Sequence, residues 1–146
     1  MYETDVRDKG SEPVVKVPLP PVAVAVRFID CVNRSDLDGL VATMTDDHRL
    51  EVFDEEPLIG REANATAWRG YFESFPNYII YPHRIVEVTE TSVAILGHTT
   101  GSHLALPDAE ESRQTLIWLA EIHFGQVRAW TLVEDNADNR LRPSLT

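Results

Sequence analysis

Two side chains in this sequence have the chemistry and setting for proton transfer. Asp54 closes the run "RLEVFD", in which Leu50, Val52 and Asp54 alternate with Arg49, Glu51 and Phe53, so a strand would put the acid on one face with two apolar residues. A carboxylate held against apolar walls loses hydration, its pKa rises, and it becomes a usable general base. The alternative is a solvated acid at a strand end beside Glu55 and Glu56, because acids are rarely buried. His98 lies in "AILGHTTGS", sharing a face with Leu96 and Thr100 while Gly97, Thr99 and Gly101 take the other. A neutral imidazole there can serve as acid, base or donor to a ligand oxygen, or be a sheet histidine bonded to a neighbour. The glycines opposite it imply a close approach, from a dimer partner or a sharply bent strand.

Trp68, Trp118 and Trp130 are the bulkiest residues in the chain, and three indoles either line a pocket for a planar or greasy ligand or fill a core. Tyr71 adds a further wall with a hydroxyl. Glu134 and Asn136 fall on the Trp130 face near a strand end, where they border a pocket mouth or simply meet solvent. Histidines at 48, 83, 98, 103 and 123 show no metal-ligand spacing, since a separation of five in a strand puts His98 and His103 on opposite faces. The residues call for no metal and no cofactor. No G-x-S-x-G, Walker loop or dinucleotide fingerprint occurs.

These residues need elements to hold them. Prolines before "VAVAVRFIDCVN" and apolar spacing at Ala25, Phe28, Ile29 and Val32 predict a helix over 21–33. Ser35, three residues before Asp38, caps a second short helix carrying Leu37, Leu40, Val41 and Met44. A strand follows at "RLEVFD", and "REANATAWRGYFESF" predicts a third helix over 61–74. The pattern then turns to period two: two hairpins, "YIIYPHRIVEV" with "VAILGHTTGSH" and "RQTLIWLAEIHF" with "VRAWTLVEDN". In the second hairpin Trp118, Ala120 and Ile122 share one face, with Glu121 and His123 on the other. Three helices on one face of a curved antiparallel sheet is an α+β domain, spanning 21–136, with polar, aperiodic arms at 1–20 and 137–146.

With 146 residues and 43% hydrophobic composition, the chain can bury one substantial core. A net charge of −11 with scattered Lys and Arg opposes phosphate-backbone binding and attraction to anionic membranes. No apolar run is long enough to span a bilayer. A single cysteine, Cys31, and an acidic N-terminus without a basic region fit a reducing cytoplasm.

Together, "RFIDCVNRSDLDGLVATMTDDHRLEVFD", "GREANATAWRGYFESFPNY" and "GQVRAWTLVEDN" resemble the SnoaL-like branch of the nuclear-transport-factor-2-like superfamily, relatives of ketosteroid isomerase, scytalone dehydratase and limonene epoxide hydrolase. The resemblance covers about residues 22–136. It implies a cone-shaped sheet wrapped around the helices, an interior pocket and a homodimer through the sheet's outer face. It also turns Trp68, Trp118, Trp130 and the His98 face inward. In ketosteroid isomerase a base works with a tyrosine and a protonated acid. The positions that match are Val52 for the base, with Asp54 two residues on, Phe28 for the tyrosine, and Trp118 or Leu119 for the acid. Steroid-isomerase chemistry therefore lacks its groups. Two readings stay open: acid/base cyclisation, isomerisation or dehydration of a hydrophobic carbonyl compound by Asp54 and His98, or non-catalytic binding or dimerisation. The first requires both residues to face a pocket walled by Phe28, Val52, Trp68, Tyr71, Trp118 and Trp130, with Glu134 at its edge.

Overall fold

A computed structural model describes residues 19–145 of the chain; apart from Leu19 and Pro20, the expected N-terminal arm lies outside these residues. Helix α1 (Pro21–Asn33) begins on Pro20 and Pro21 and buries Val24, Ala25, Phe28, Ile29, Cys31 and Val32. Its last residue ties it to the sheet: Asn33 Nδ2 donates to the Ile80 carbonyl (2.9 Å) and Asn33 Oδ1 accepts the Ile80 N–H (2.8 Å). Helix α2 (Leu37–Ala42) is capped by Asp36, which accepts the Gly39 N–H at 3.0 Å. Ser35, expected as the cap, instead turns the chain with φ 52°.

Strand β1 (Met44–Val52) starts five residues before the predicted run and stops before Asp54. Phe53 still donates its N–H to the Leu132 carbonyl (3.1 Å), but at φ 42° it leaves the sheet, and Glu55 N–H closes a turn on the Val52 carbonyl (2.8 Å). After the short β2 (Leu58–Ile59), helix α3 spans Arg61–Ser74. The hairpins are β3 (Ile79–Thr89) with β4 (Ser92–Thr100), and β5 (Leu116–His123) with β6 (Gln126–Glu134). Helix α4 (Asp108–Glu111) joins them, and α5 (Ala137–Leu141) follows.

The six strands run in the order β2-β1-β6-β5-β4-β3. The fold is the expected α+β, with one difference: β1 and β6 pair in parallel, so the sheet is mixed. Parallel neighbours need a long crossover, and here β2, α3, β3, β4, α4 and β5 intervene before β6 returns beside β1. Helix α1 lies against β3, β4, β5 and β6. Its apolar face meets Val93, Ile95, Trp118, Ala120, Ile122, Val127 and Trp130 in the main core.

The outer face carries a second cluster, Ala94, Leu96 and Ile117 around Leu145. Residues 137–145, expected as a loose arm, fold back as α5 and bury Leu145 to 2% exposure. The close approach implied by the glycines is internal: a Cβ on Gly97 would strike the Tyr81 carbonyl, and one on Gly101, at φ 71°, the Asn77 carbonyl. Among the described residues no helix is long and apolar enough to cross a membrane.

Candidate functional site

Between α3 and the inward faces of β1, β5 and β6 lies a cavity of about 240 Å³. Its walls follow from sheet register. Leu50 pairs with Trp130 and Val52 with Leu132, so alternation brings all four side chains to one side, and Trp118 joins them from β5 opposite Leu132. Helix α3 supplies Ala67, Trp68 and Tyr71, one helical face at spacings of three and four, and Tyr78, His103 and Glu55 complete the lining. Val52, Trp68, Tyr71, Trp118 and Trp130 thus line a common space.

Two other expected wall residues do not. Phe28 is fully buried beneath the cavity, stacked on Trp130 at 4.3 Å with Trp68 edge-on at 6.4 Å; it supports the wall from behind because α1 packs inside the sheet. Glu134 is exposed two residues beyond Leu132, where β6 has passed the cavity, and its carbonyl accepts Asn139 Nδ2 at 2.7 Å. Its neighbour Asn136 caps α5 through the Asn139 N–H at 2.9 Å.

The proposed proton-handling pair is not assembled. Asp54 is exposed in the turn that ends β1, so the alternation that aims Leu50 and Val52 inward does not reach it. His98 points to the outer face: Ile95 pairs with Trp118, which turns Val93 and Ile95 inward and leaves Ala94, Leu96 and His98 outside. There His98 stacks on Tyr81 at 4.7 Å, with Nδ1 2.6 Å from His83 Nε2. Partial burial, and then the neighbouring His83, lower its pKa.

The polar groups that do border the cavity are others. The Tyr71 hydroxyl lies 2.9 Å from His103 Nδ1 and accepts the His103 backbone N–H at 3.2 Å. Burial raises the Tyr71 pKa, against the opposing His103 N–H, and holds Tyr78 protonated as well. The loop that brings His103 here is pinned by Glu111, which is 1% exposed. Its carboxylate accepts Thr99 Oγ1 (2.5 Å) and the Ser102 N–H (3.5 Å). His103, expected within the strand "VAILGHTTGSH", instead lies in the loop after β4 ends at Thr100, so strand alternation does not set its direction. His48, which the sequence marks only as one of five histidines without metal-ligand spacing, is fully buried on β1. No group of three or more His, Cys, Asp or Glu among the described residues is placed to hold a metal ion.

An α+β domain whose curved sheet and helices enclose an aromatic-walled cavity is a class of its own, and the sequence sorts this chain within it. The SnoaL-like domain model matches residues 25–130, and the chain belongs to that family. Among similar solved structures is an uncharacterised cystatin-fold protein from Novosphingobium aromaticivorans, with a TM-score of 0.68 at 17% identity over 80% of this chain and 99% of that one. A protein assigned as a polyketide cyclase, from Sinorhizobium meliloti, has a TM-score of 0.62 at 19% identity over 76% and 94%. One assigned as a ketosteroid isomerase, from Kribbella flavida, has a TM-score of 0.60 at 19% identity over 79% and 77%. No curated protein matches the chain. At these identities the likeness carries the fold and leaves the chemistry to the cavity.

Proposed function

We propose that this protein binds a small, largely apolar molecule between α3 and the sheet, with Tyr71 and His103 contacting an oxygen on it. The observation that supports this reading is the Tyr71–His103 pair, a hydroxyl and an imidazole 2.9 Å apart at a cavity whose other walls are mainly indole and aliphatic. Few polar groups on an apolar lining is the usual make-up of a ligand site. At about 240 Å³ the space is just below the roughly 300–1,000 Å³ of most such sites, which suits one or two fused rings. When His103 Nδ1 carries a proton, both it and the backbone N–H donate to the Tyr71 oxygen. The Tyr71 proton is then free for a ligand carbonyl or hydroxyl.

The same pair supports a second reading, acid/base catalysis, because an imidazole bonded to the hydroxyl can hold or release the proton that enolisation moves. The polyketide cyclase and ketosteroid isomerase assignments of similar folds make carbonyl compounds the first to test. Titrating 2-acetylnaphthalene against tryptophan fluorescence should show saturable quenching. Tyr71→Phe should weaken binding roughly fivefold to tenfold, the loss of one hydrogen bond of about 1 kcal/mol, whereas Asp54→Asn should leave it unchanged. Absence of binding in the wild type rejects the reading. Deuterium incorporation at the ligand's methyl group in heavy water, abolished by Tyr71→Phe, separates catalysis from binding alone.

A further inference from the structure

Among the described residues a single acidic side chain is buried: Glu111, 1% exposed, on α4 and outside the cavity wall. A carboxylate taken out of water is costly unless it is hydrogen-bonded, and Glu111 draws its partners from the segment that leaves β4. Its Oε2 accepts the Thr99 hydroxyl at 2.5 Å and its Oε1 the Ser102 N–H at a longer 3.5 Å. Ser102, buried as well, passes the constraint on: its Oγ accepts the Leu104 N–H and its carbonyl the Ala105 N–H, each at 3.2 Å. His103 stands between these anchored positions, with its N–H 3.2 Å and its Nδ1 2.9 Å from the Tyr71 hydroxyl. His103 and Leu104 are themselves exposed, so their own burial does little to order the turn. The chain beside the one imidazole that lines the cavity is fixed by a carboxylate from another element.

We propose that Glu111 is a positioning residue for the ligand site, holding Ser102 and the turn after it so that His103 stays against Tyr71. Affinity for a ligand oxygen then depends on a side chain that does not touch the ligand. The inference rests on the cavity being a ligand site. The route is the hydrogen bonds: Glu111→Gln keeps an oxygen for the Ser102 N–H and an amide that donates to Thr99 Oγ1, whereas Glu111→Met has similar length and bonds neither. The competing route is charge: after burial, and against the opposing His103 N–H, the Glu111 carboxylate also raises the Tyr71 pKa.

Two measurements on the full chain test this. The first needs no ligand: Tyr71→Phe should shift the His103 Cε1–H resonance, assigned by its loss in His103→Ala, in the wild-type and Glu111→Gln backgrounds but not in Glu111→Met. The second follows tryptophan quenching by 2-acetylnaphthalene. Glu111→Met and His103→Ala should each weaken binding roughly fivefold to tenfold, as for one lost hydrogen bond. The double variant should be no more than about twofold weaker than His103→Ala, because coupled residues do not add, and Glu111→Gln should bind like wild type. If Glu111→Met does not fold, Glu111→Asp, whose carboxylate is one methylene too short to span Thr99 and Ser102, takes its place with the same expected losses. Wild-type affinity in Glu111→Met, or losses that multiply in the double variant, overturn the proposal. Binding as weak in Glu111→Gln as in Glu111→Met assigns the effect to charge and overturns it too. Failure of the wild type to bind the probe removes the cavity reading and the effect on affinity, while the resonance still decides whether Glu111 places His103.

Discussion

His48 shows how far one residue's environment sets its chemistry. Five histidines are equivalent on paper, yet this ring is sealed between Phe28 and the Val127 carbonyl, where a second proton would place a charge with no water near it. Its folded pKa therefore lies below the ordinary value of 6.5. Between those two values the unfolded chain binds more protons than the folded one, so stability rises with pH there. The contribution is fully present above 6.5 and is lost as pH falls. Urea unfolding from pH 7.5 to 5.5 should show a declining free energy, at most about 1.4 kcal/mol per pH unit for one proton. His48→Asn should flatten that slope even if it lowers stability throughout; the lowered pKa of His98 acts in the same direction and accounts for what remains. An unchanged slope would show that His48 is hydrated in the folded state.

At the scale of elements, the β3–β4 hairpin depends on glycine in a way that only close packing explains. Gly97 pairs with Pro82, just before the register shift between Pro82 and Arg84, and the Tyr81 carbonyl occupies the space a Cβ would need. Gly97→Ala should cost about 1–3 kcal/mol, the usual range for overpacking, measured by thermal or urea unfolding. A cost near zero would mean that the bulged strand yields easily. The same hairpin shows what alternation can and cannot say. Period two correctly sorted Leu96, His98 and Thr100 from Gly97 and Thr99. Which set faces inward was settled by the pairing of Ile95 with Trp118. A strand pattern with large apolar residues on both faces has no sign until a partner supplies one.

Across the whole molecule, the C-terminal segment covers part of the outer face of the sheet, the face on which a homodimer was expected. Leu145 closes over Ala94, Leu96 and Ile117, and the chain around it is held by Arg140, whose Nε and Nη2 reach Asp135 at 2.5 and 2.8 Å. Leu145→Ala should destabilise by about 2 kcal/mol, the low end for a buried leucine because the site lies at the edge of the fold. Deleting residues 137–146 should lower the melting temperature, because Leu145 is lost from the outer cluster; a truncated chain that stays as stable would show that the segment is dispensable.

Much of this was legible in the linear sequence: α1 over 21–33, α3 over 61–74, both hairpins, and the inward set Trp118, Ala120 and Ile122. These rest on local periodicity, which the backbone imposes whatever surrounds it. Tertiary structure alone decided that Asp54 falls past the last inward position of β1, that His98 faces out, and that a loop held by Glu111 brings His103 to Tyr71. Those outcomes depend on strand register, on a positive φ at Phe53 and on a contact between residues 32 apart in the chain. Alternation and helical spacing carry no information about any of them, because each is set by what packs against the residue and not by its neighbours in the chain.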